Sequence, residues 1–210
     1  MTASADPSLT LLLIRHGGPA GTVADPHGTG ADPELTTAGL AEARALGEWL
    51  AAVPARRLKA IYSSPMRRAA QTADQIASLQ GLDVHLDERL REFDWGASAY
   101  VPIEAVADPL ALLWDVLTTG KWGPGHFDPI EFRQRVVSVF DDIIAKHDSG
   151  WVAVISHGGV MNSFLGHWLQ RPPGFLFLPH YTSITRLIIR ADRRWQLESL
   201  NETPHLLAAK

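Results

Sequence analysis

Two histidines in this chain share one local setting. Arg15-His16-Gly17-Gly18 follows an apolar run over residues 9–14, and Ser156-His157-Gly158-Gly159 follows another over residues 151–155. A third apolar run, residues 58–62, leads into Ser63-Ser64-Pro65-Met66-Arg67-Arg68. In an open parallel α/β sheet, ligands bind outside the carboxyl ends of the strands. Three such strand ends would gather two imidazoles, at least two guanidiniums and several glycine and serine amides. That set suits a phosphoryl group better than a metal ion. The planar fork of Arg matches two phosphate oxygens at once. A neighbouring guanidinium also disfavours the imidazolium, which biases His16 toward its neutral, nucleophilic form. No helical His-Glu-x-x-His or comparable ligand spacing supports a His-ligated hydrolytic metal site, so no metal and no cofactor is expected.

The elements that must hold these groups are legible as patterns. Residues 9–14, 58–62 and 151–155 read as buried strands, with 82–86 a weaker one. Helical periodicity runs through 38–51, 66–79, 131–145 and 159–169. Ser64 suits the cap of the second helix and Pro65 its first turn. Strands alternating with helices predict an α/β, three-layer sandwich, with a mostly parallel central sheet and helices on both faces. Residues 184–189 and 195–200, joined at Ala191-Asp192-Arg193, read as a closing hairpin. Residues 97–130 are rich in proline and glycine, with one helix expected around 104–117. They read as an insertion or lid over the sheet end, within a single domain of 1–210.

Composition narrows the function classes. The chain has 210 residues, 46% hydrophobic and 20% charged, and a formal charge of -4. A slightly acidic, balanced chain is a poor nucleic-acid or anionic-membrane binder. With no cysteine there is no disulfide, thiolate metal site or cysteine nucleophile. No apolar stretch reaches the ~20 residues of a membrane helix, and residues 1–8 lack the basic start of a secretory signal. A cytoplasmic protein is expected.

The residues together resemble the histidine phosphatase superfamily, the phosphoglycerate-mutase-like family, from the first strand to near the C-terminus. The likeness runs through Arg15-His16-Gly17, then Leu35-Thr36-Thr37-Ala38-Gly39. It continues through Ser63-Ser64-Pro65-Met66-Arg67-Arg68-Ala69-Ala70-Gln71-Thr72-Ala73, then Leu90-Arg91-Glu92 with Gly96, and ends at Ser156-His157-Gly158-Gly159. The resemblance implies a metal-independent phosphomonoester hydrolase acting on a small phosphorylated metabolite. His16 would attack phosphorus and become phosphohistidine. Arg15, Arg68, His157 and Gly158 would hold the phosphate, and Glu92 would be the proton donor, with Glu88 and Asp94 its nearby rivals. Homodimers are common among look-alikes.

The chain departs from that pattern at Gly18-Pro19, where members usually carry Glu and a hydroxyl residue. It departs again at Gly125-His126-Phe127-Asp128-Pro129, in place of Gly-Glu-Ser. With a short insertion as well, these differences favour hydrolysis over a phosphoglycerate mutase-type phosphotransferase, and intact Arg15, His16, Arg68 and His157 argue against an inactive phospho-ligand binder. Gly18, Trp95 and His126 are candidates for the substrate pocket. Trp95, Trp114 and Trp122 flank the insertion and either wall an apolar substrate group or cover the sheet end. Arg67 reads as a solvated helix residue, and His27, His85, His147, His167, His180 and His205 as surface or core residues.

Overall fold

The computed structural model describes residues 8–25, 30–122 and 125–207. His27 lies outside them. In chain order the elements are β1 (Ser8–Arg15), β2 (Val23–Ala24), α1 (Thr37–Ala51), β3 (Leu58–Ser63), α2 (Arg67–Gln80), β4 (Val84–Leu86), β5 (Ala99–Tyr100), α3 (Pro109–Thr119), β6 (Lys121–Trp122), β7 (Gly125–His126), α4 (Pro129–Lys146), β8 (Gly150–Ser156), α5 (Gly158–Trp168), β9 (Ile184–Arg190), β10 (Trp195–Glu202) and α6 (Pro204–Leu207).

The main sheet has the order β10-β9-β1-β8-β3-β4. β1, β8, β3 and β4 run parallel, while β9 and β10 close one edge antiparallel. The three strands that precede the chemistry-bearing motifs are therefore adjacent, with β8 between β1 and β3. Ile14 lies level with Ile155 and Ser63 with Ile155, so the three carboxyl ends align.

The apolar runs are continuous because both sheet faces are covered. Along β1, Leu11 and Leu13 join a core with Val136, Phe140, Val160 and Phe164 from α4 and α5. Leu12 and Ile14 point the other way, to Leu46, Leu50, Ala69, Ala73 and Ile76 of α1 and α2. Alternate strand residues thus serve opposite layers. The stacked rings of Phe140 and Phe164, 3.9 Å apart, join α4 to α5.

Two local expectations need correction. Helix α2 begins at Arg67 with Met66 as its cap, and Ser64 is not the capping residue. Asp32, distant in sequence, takes that part: the Arg67 N–H donates to its carboxylate at 3.0 Å. The helix expected around 104–117 starts at Pro109, with the Asp108 side chain accepting from the Ala111 N–H. A proline cannot sit inside a helix, but its missing N–H is harmless at the first position. Residues 103–105 instead form a separate 3₁₀ turn.

Candidate active site

Each strand end delivers its side chain in a fixed way. β1 ends at Arg15, and His16 follows with its N–H donating to the Ser156 carbonyl, which ties the end of β1 to that of β8. The Gly17 N–H donates to Thr72 Oγ1 at 3.0 Å, and the Thr72 hydroxyl donates to the Arg68 carbonyl at 2.7 Å. One buried threonine thereby joins the His16 loop to the first turn of α2. His157 caps α5 from the end of β8. The rings of His16 and His157 meet at 5.2 Å between centroids.

His16, His157, Arg15, Arg68, Glu92 and Gly158 line a single narrow cleft, together with Tyr100, Asn162 and Pro179. His16 Nδ1 lies 2.7 Å from the Gly17 carbonyl oxygen. A carbonyl only accepts, so Nδ1 carries the proton and Nε2 is left with its lone pair. Burial, then the charges of Arg68 and Arg15, hold the His16 pKa well below its usual value. This ring is neutral at physiological pH, as a nitrogen nucleophile must be.

His157 is likewise pushed well down, by burial first and then by Arg68, His16 and Arg15. Its Nε2 lies 2.9 Å from Ser64 Oγ. Ser64 Oγ already accepts the Met66 N–H, so its hydroxyl proton is free to bond Nε2. That arrangement puts the imidazole proton on Nδ1, which is buried and has no partner.

Arg68 is almost fully buried, its Nη2 3.2 Å from Asp94 and its guanidinium 4.8 Å from the Tyr100 ring centroid. Arg15 is held by Glu104 at 2.7 Å and by the Pro179 carbonyl at 2.6 Å, over the Tyr181 ring. Arg15 Nε, Arg68 Nε and Arg68 Nη1 are buried donors that make no hydrogen bond within the protein, Arg68 Nη1 lying 3.8 Å from the Asp32 carboxylate. With His157 Nδ1 they form a set of unpaired donors beside a small cleft. Leaving such donors dry is costly, and an anion is the natural acceptor for them.

Glu92 sits on the other side of the cleft. One carboxylate oxygen accepts the Gly159 N–H at 2.6 Å, the other the Phe93 N–H at 3.0 Å. A Cβ at residue 159 would lie 2.3 Å from Glu92 Oε1, so glycine is required for this approach. Burial, followed by the charge of Asp94, raises the Glu92 pKa to about 7. The rival carboxylates are otherwise engaged. Glu88 is largely exposed and pairs with Arg91, while Asp94 pairs with Arg68.

The remaining pocket candidates are placed differently. Gly18 does not line the cleft. Its carbonyl accepts the Thr36 N–H and hydroxyl, and Gly39 packs directly on it, so it anchors the start of α1. Trp95 and His126 line an adjoining cavity instead, with Phe93, Trp122 and Phe127. Trp114 is exposed on α3. Arg67 is half-exposed and pairs with Glu34. Sequence reasoning missed the roles of Ser64, Thr72 and Glu104. The first two lie inside the Ser63-to-Ala73 motif and could have been read there. Glu104, 89 residues from Arg15, had no signal. Among the described residues no cluster of three or more His, Asp or Glu could hold a metal ion, and no helix is long and apolar enough to cross a membrane.

Comparison with known proteins agrees with this geometry. Residues 11–203 match the histidine phosphatase superfamily (branch 1). A Mycobacterium tuberculosis glucosyl-3-phosphoglycerate phosphatase is 29% identical over 175 residues, 77% of this chain and 76% of that one. An Arabidopsis thaliana metal-independent phosphoserine phosphatase is 27% identical over 93% of this chain and 82% of its own. The solved mycobacterial glucosyl-3-phosphoglycerate phosphatase Rv2419c with inorganic phosphate superposes with a TM-score of 0.70, at 26% identity over 93% of this chain and 98% of that one. With the Arg15-His16-Gly17 and Ser156-His157-Gly158 strand ends meeting at one anion cleft, the chain belongs to the histidine phosphatase superfamily and is a phosphomonoester hydrolase.

Proposed function

We propose that this enzyme hydrolyses a small phosphorylated metabolite without a metal, through a phosphohistidine on His16. The observation that carries the reading is the set of four unpaired buried donors beside a neutral His16 whose Nε2 is free. In the first step Nε2 attacks phosphorus in line. The N–P bond forms as the bond to the ester oxygen breaks, and the leaving alkoxide takes the proton of Glu92. Arg15, Arg68 and His157 Nδ1–H stabilise the three non-bridging oxygens as charge spreads over them. In the second step water attacks the phosphohistidine, Glu92 takes a proton from it, and phosphate leaves. A carboxyl with a pKa of about 7 is suited to both duties near neutral pH.

Hydrolysis is favoured over transfer to a second acceptor by the cleft itself. Among the described residues Arg15 and Arg68 are the only lysine or arginine residues lining it. A mutase must keep a second phosphorylated end, which calls for further cations. Residues 97–130 belong, in this reading, to the same domain and cover the site. A cytoplasmic location and the dimer of look-alike proteins are part of the proposal, the latter checked by sedimentation.

The test is a rapid-quench experiment with a ³²P-labelled phosphomonoester. Acid-labile, base-stable label on wild type, lost in His16→Ala with the fold intact by circular dichroism, is the expected result. Turnover by His16→Ala near the wild-type rate would overturn the assignment.

A further inference from the structure

The catalytic cleft adjoins a second, wider pocket, and the two share Phe93, Asp94, Val101, Ile103 and Trp122. A leaving group on a phosphate held by Arg15 and Arg68 has this chamber beside it. Its other walls are mainly apolar: Trp95, Val106, Leu112 and Phe127. No lysine or arginine lines it among the described residues.

The charge that does face it is negative. Asp94 borders both spaces, and Glu92 and Glu104 stand around the phosphate position. Lys121, level with His126 in the β6–β7 pair, is exposed and is not among the lining residues, and the cations beside Trp95 and Glu92 have partners. Arg91 pairs with Glu88 and stacks on Trp95 at 3.7 Å, and Arg135 donates to the carbonyls of Arg89 and Arg91. A carboxylate on the leaving group would enter the chamber next to Asp94, with the His126 imidazole as the one basic side chain among the described lining residues. Asp94 would repel it, and the apolar walls would take it out of water with little to bond in exchange. An aliphatic or aromatic group would instead meet complementary walls.

We propose that the preferred phosphomonoester carries an uncharged, apolar leaving group lodged between Trp122, Phe93 and the Val101–Val106 wall, and not the carboxylate-bearing alcohols that name its relatives. The inference rests on the hydrolase reading above.

The experiment compares kcat/KM, by phosphate release, for ethyl, butyl and hexyl phosphate with that for phosphoserine and 3-phosphoglycerate. The primary alkyl esters have leaving groups of similar basicity, so differences among them report binding. Each fully buried methylene is worth about fourfold. From ethyl to hexyl the increase is expected to lie between about fifteenfold, with the chain half-buried, and about two-hundredfold. Hexyl phosphate should exceed both carboxylate-bearing substrates. Val106→Lys should bring the hexyl-to-ethyl ratio down toward one and raise the relative rate on 3-phosphoglycerate. Trp122→Ala should lower the same ratio, and both ratios are internal to each variant. A flat chain-length series with phosphoserine or 3-phosphoglycerate preferred overturns the inference and leaves the hydrolase intact. No phosphate from any substrate, 4-nitrophenyl phosphate included, overturns both.

Discussion

Replacing Glu92 with Gln tests the centre of the mechanism. The carboxyl is buried, and burial together with Asp94 lifts its pKa from 4.5 to about 7. That difference corresponds to about 3 kcal/mol, at roughly 1.36 kcal/mol per unit. The sign follows from proton counting. Between pH 4.5 and 7 the folded carboxyl keeps a proton that the unfolded chain has released. Stability contributed by Glu92 is therefore full below that window and declines as pH rises through it. His16 and His157 work in the opposite sense, since their depressed values cost stability as pH falls below about 6.5. They are present in both proteins and cancel in the comparison. The unfolding free energy of wild type relative to Glu92→Gln should therefore fall by about 3 kcal/mol between pH 4.5 and 7.5. A constant offset of about 1–3 kcal/mol is expected as well, because the Gln amide cannot accept from both the Gly159 and Phe93 N–H groups. In kinetics, the variant should lose about 10²- to 10⁴-fold in kcat on alkyl phosphates. It should lose far less on 4-nitrophenyl phosphate, whose leaving group needs no proton. The alkaline limb near pH 7 should vanish. Urea melts at several pH values and a leaving-group series check both halves. Equal losses on the two substrate types, or a stability difference flat with pH, would refute the assignment and turn attention to Asp94.

Further outcomes follow from particular contacts. Ser64→Ala removes the group that holds the His157 proton on Nδ1, and should lower kcat about three- to tenfold with KM for phosphate esters less affected; an unchanged kcat would dismiss the relay. Gly159→Ala drives a methyl into the Glu92 carboxylate and should reduce kcat on alkyl phosphates by more than tenfold while α5 still forms, with wild-type kinetics counting against the close approach. Thr72→Val strips the Gly17 N–H and the Arg68 carbonyl of their shared partner and should cost about 1–3 kcal/mol in thermal or urea unfolding. Dialysis against a strong chelator should leave turnover unchanged, and recovery of lost activity by a divalent cation would contradict a metal-independent mechanism.

Much of this protein was legible along the chain, for local reasons. Residues 9–14 and 151–155 announce themselves as strands buried on both faces, because unbroken apolar runs of that length fit nothing else so well. The helices announce themselves by period, and strand-end motifs carry their chemistry within a few residues. Arg15, His16, Arg68, Glu92 and His157 were all named from such segments, and all line one cleft. Reading failed where a partner was distant. Ser64 resembles a helix cap in isolation, but Asp32 reaches Arg67 from 35 residues away and leaves Ser64 for His157. Gly18 stands two residues after His16, yet its carbonyl faces Thr36 and not the cleft. Trp95 and His126 lie in the expected specificity segment, but only packing assigns them to the adjoining chamber.

The lowered basicity of His16 could be anticipated, since Arg beside His acts over a single residue. The burial that dominates both histidine shifts, the lifted Glu92 and the charge of the chamber could not. These depend on which groups face each other across empty space and how much water is excluded, and such long-range quantities exist only once the three strand ends and residues 97–130 have come together.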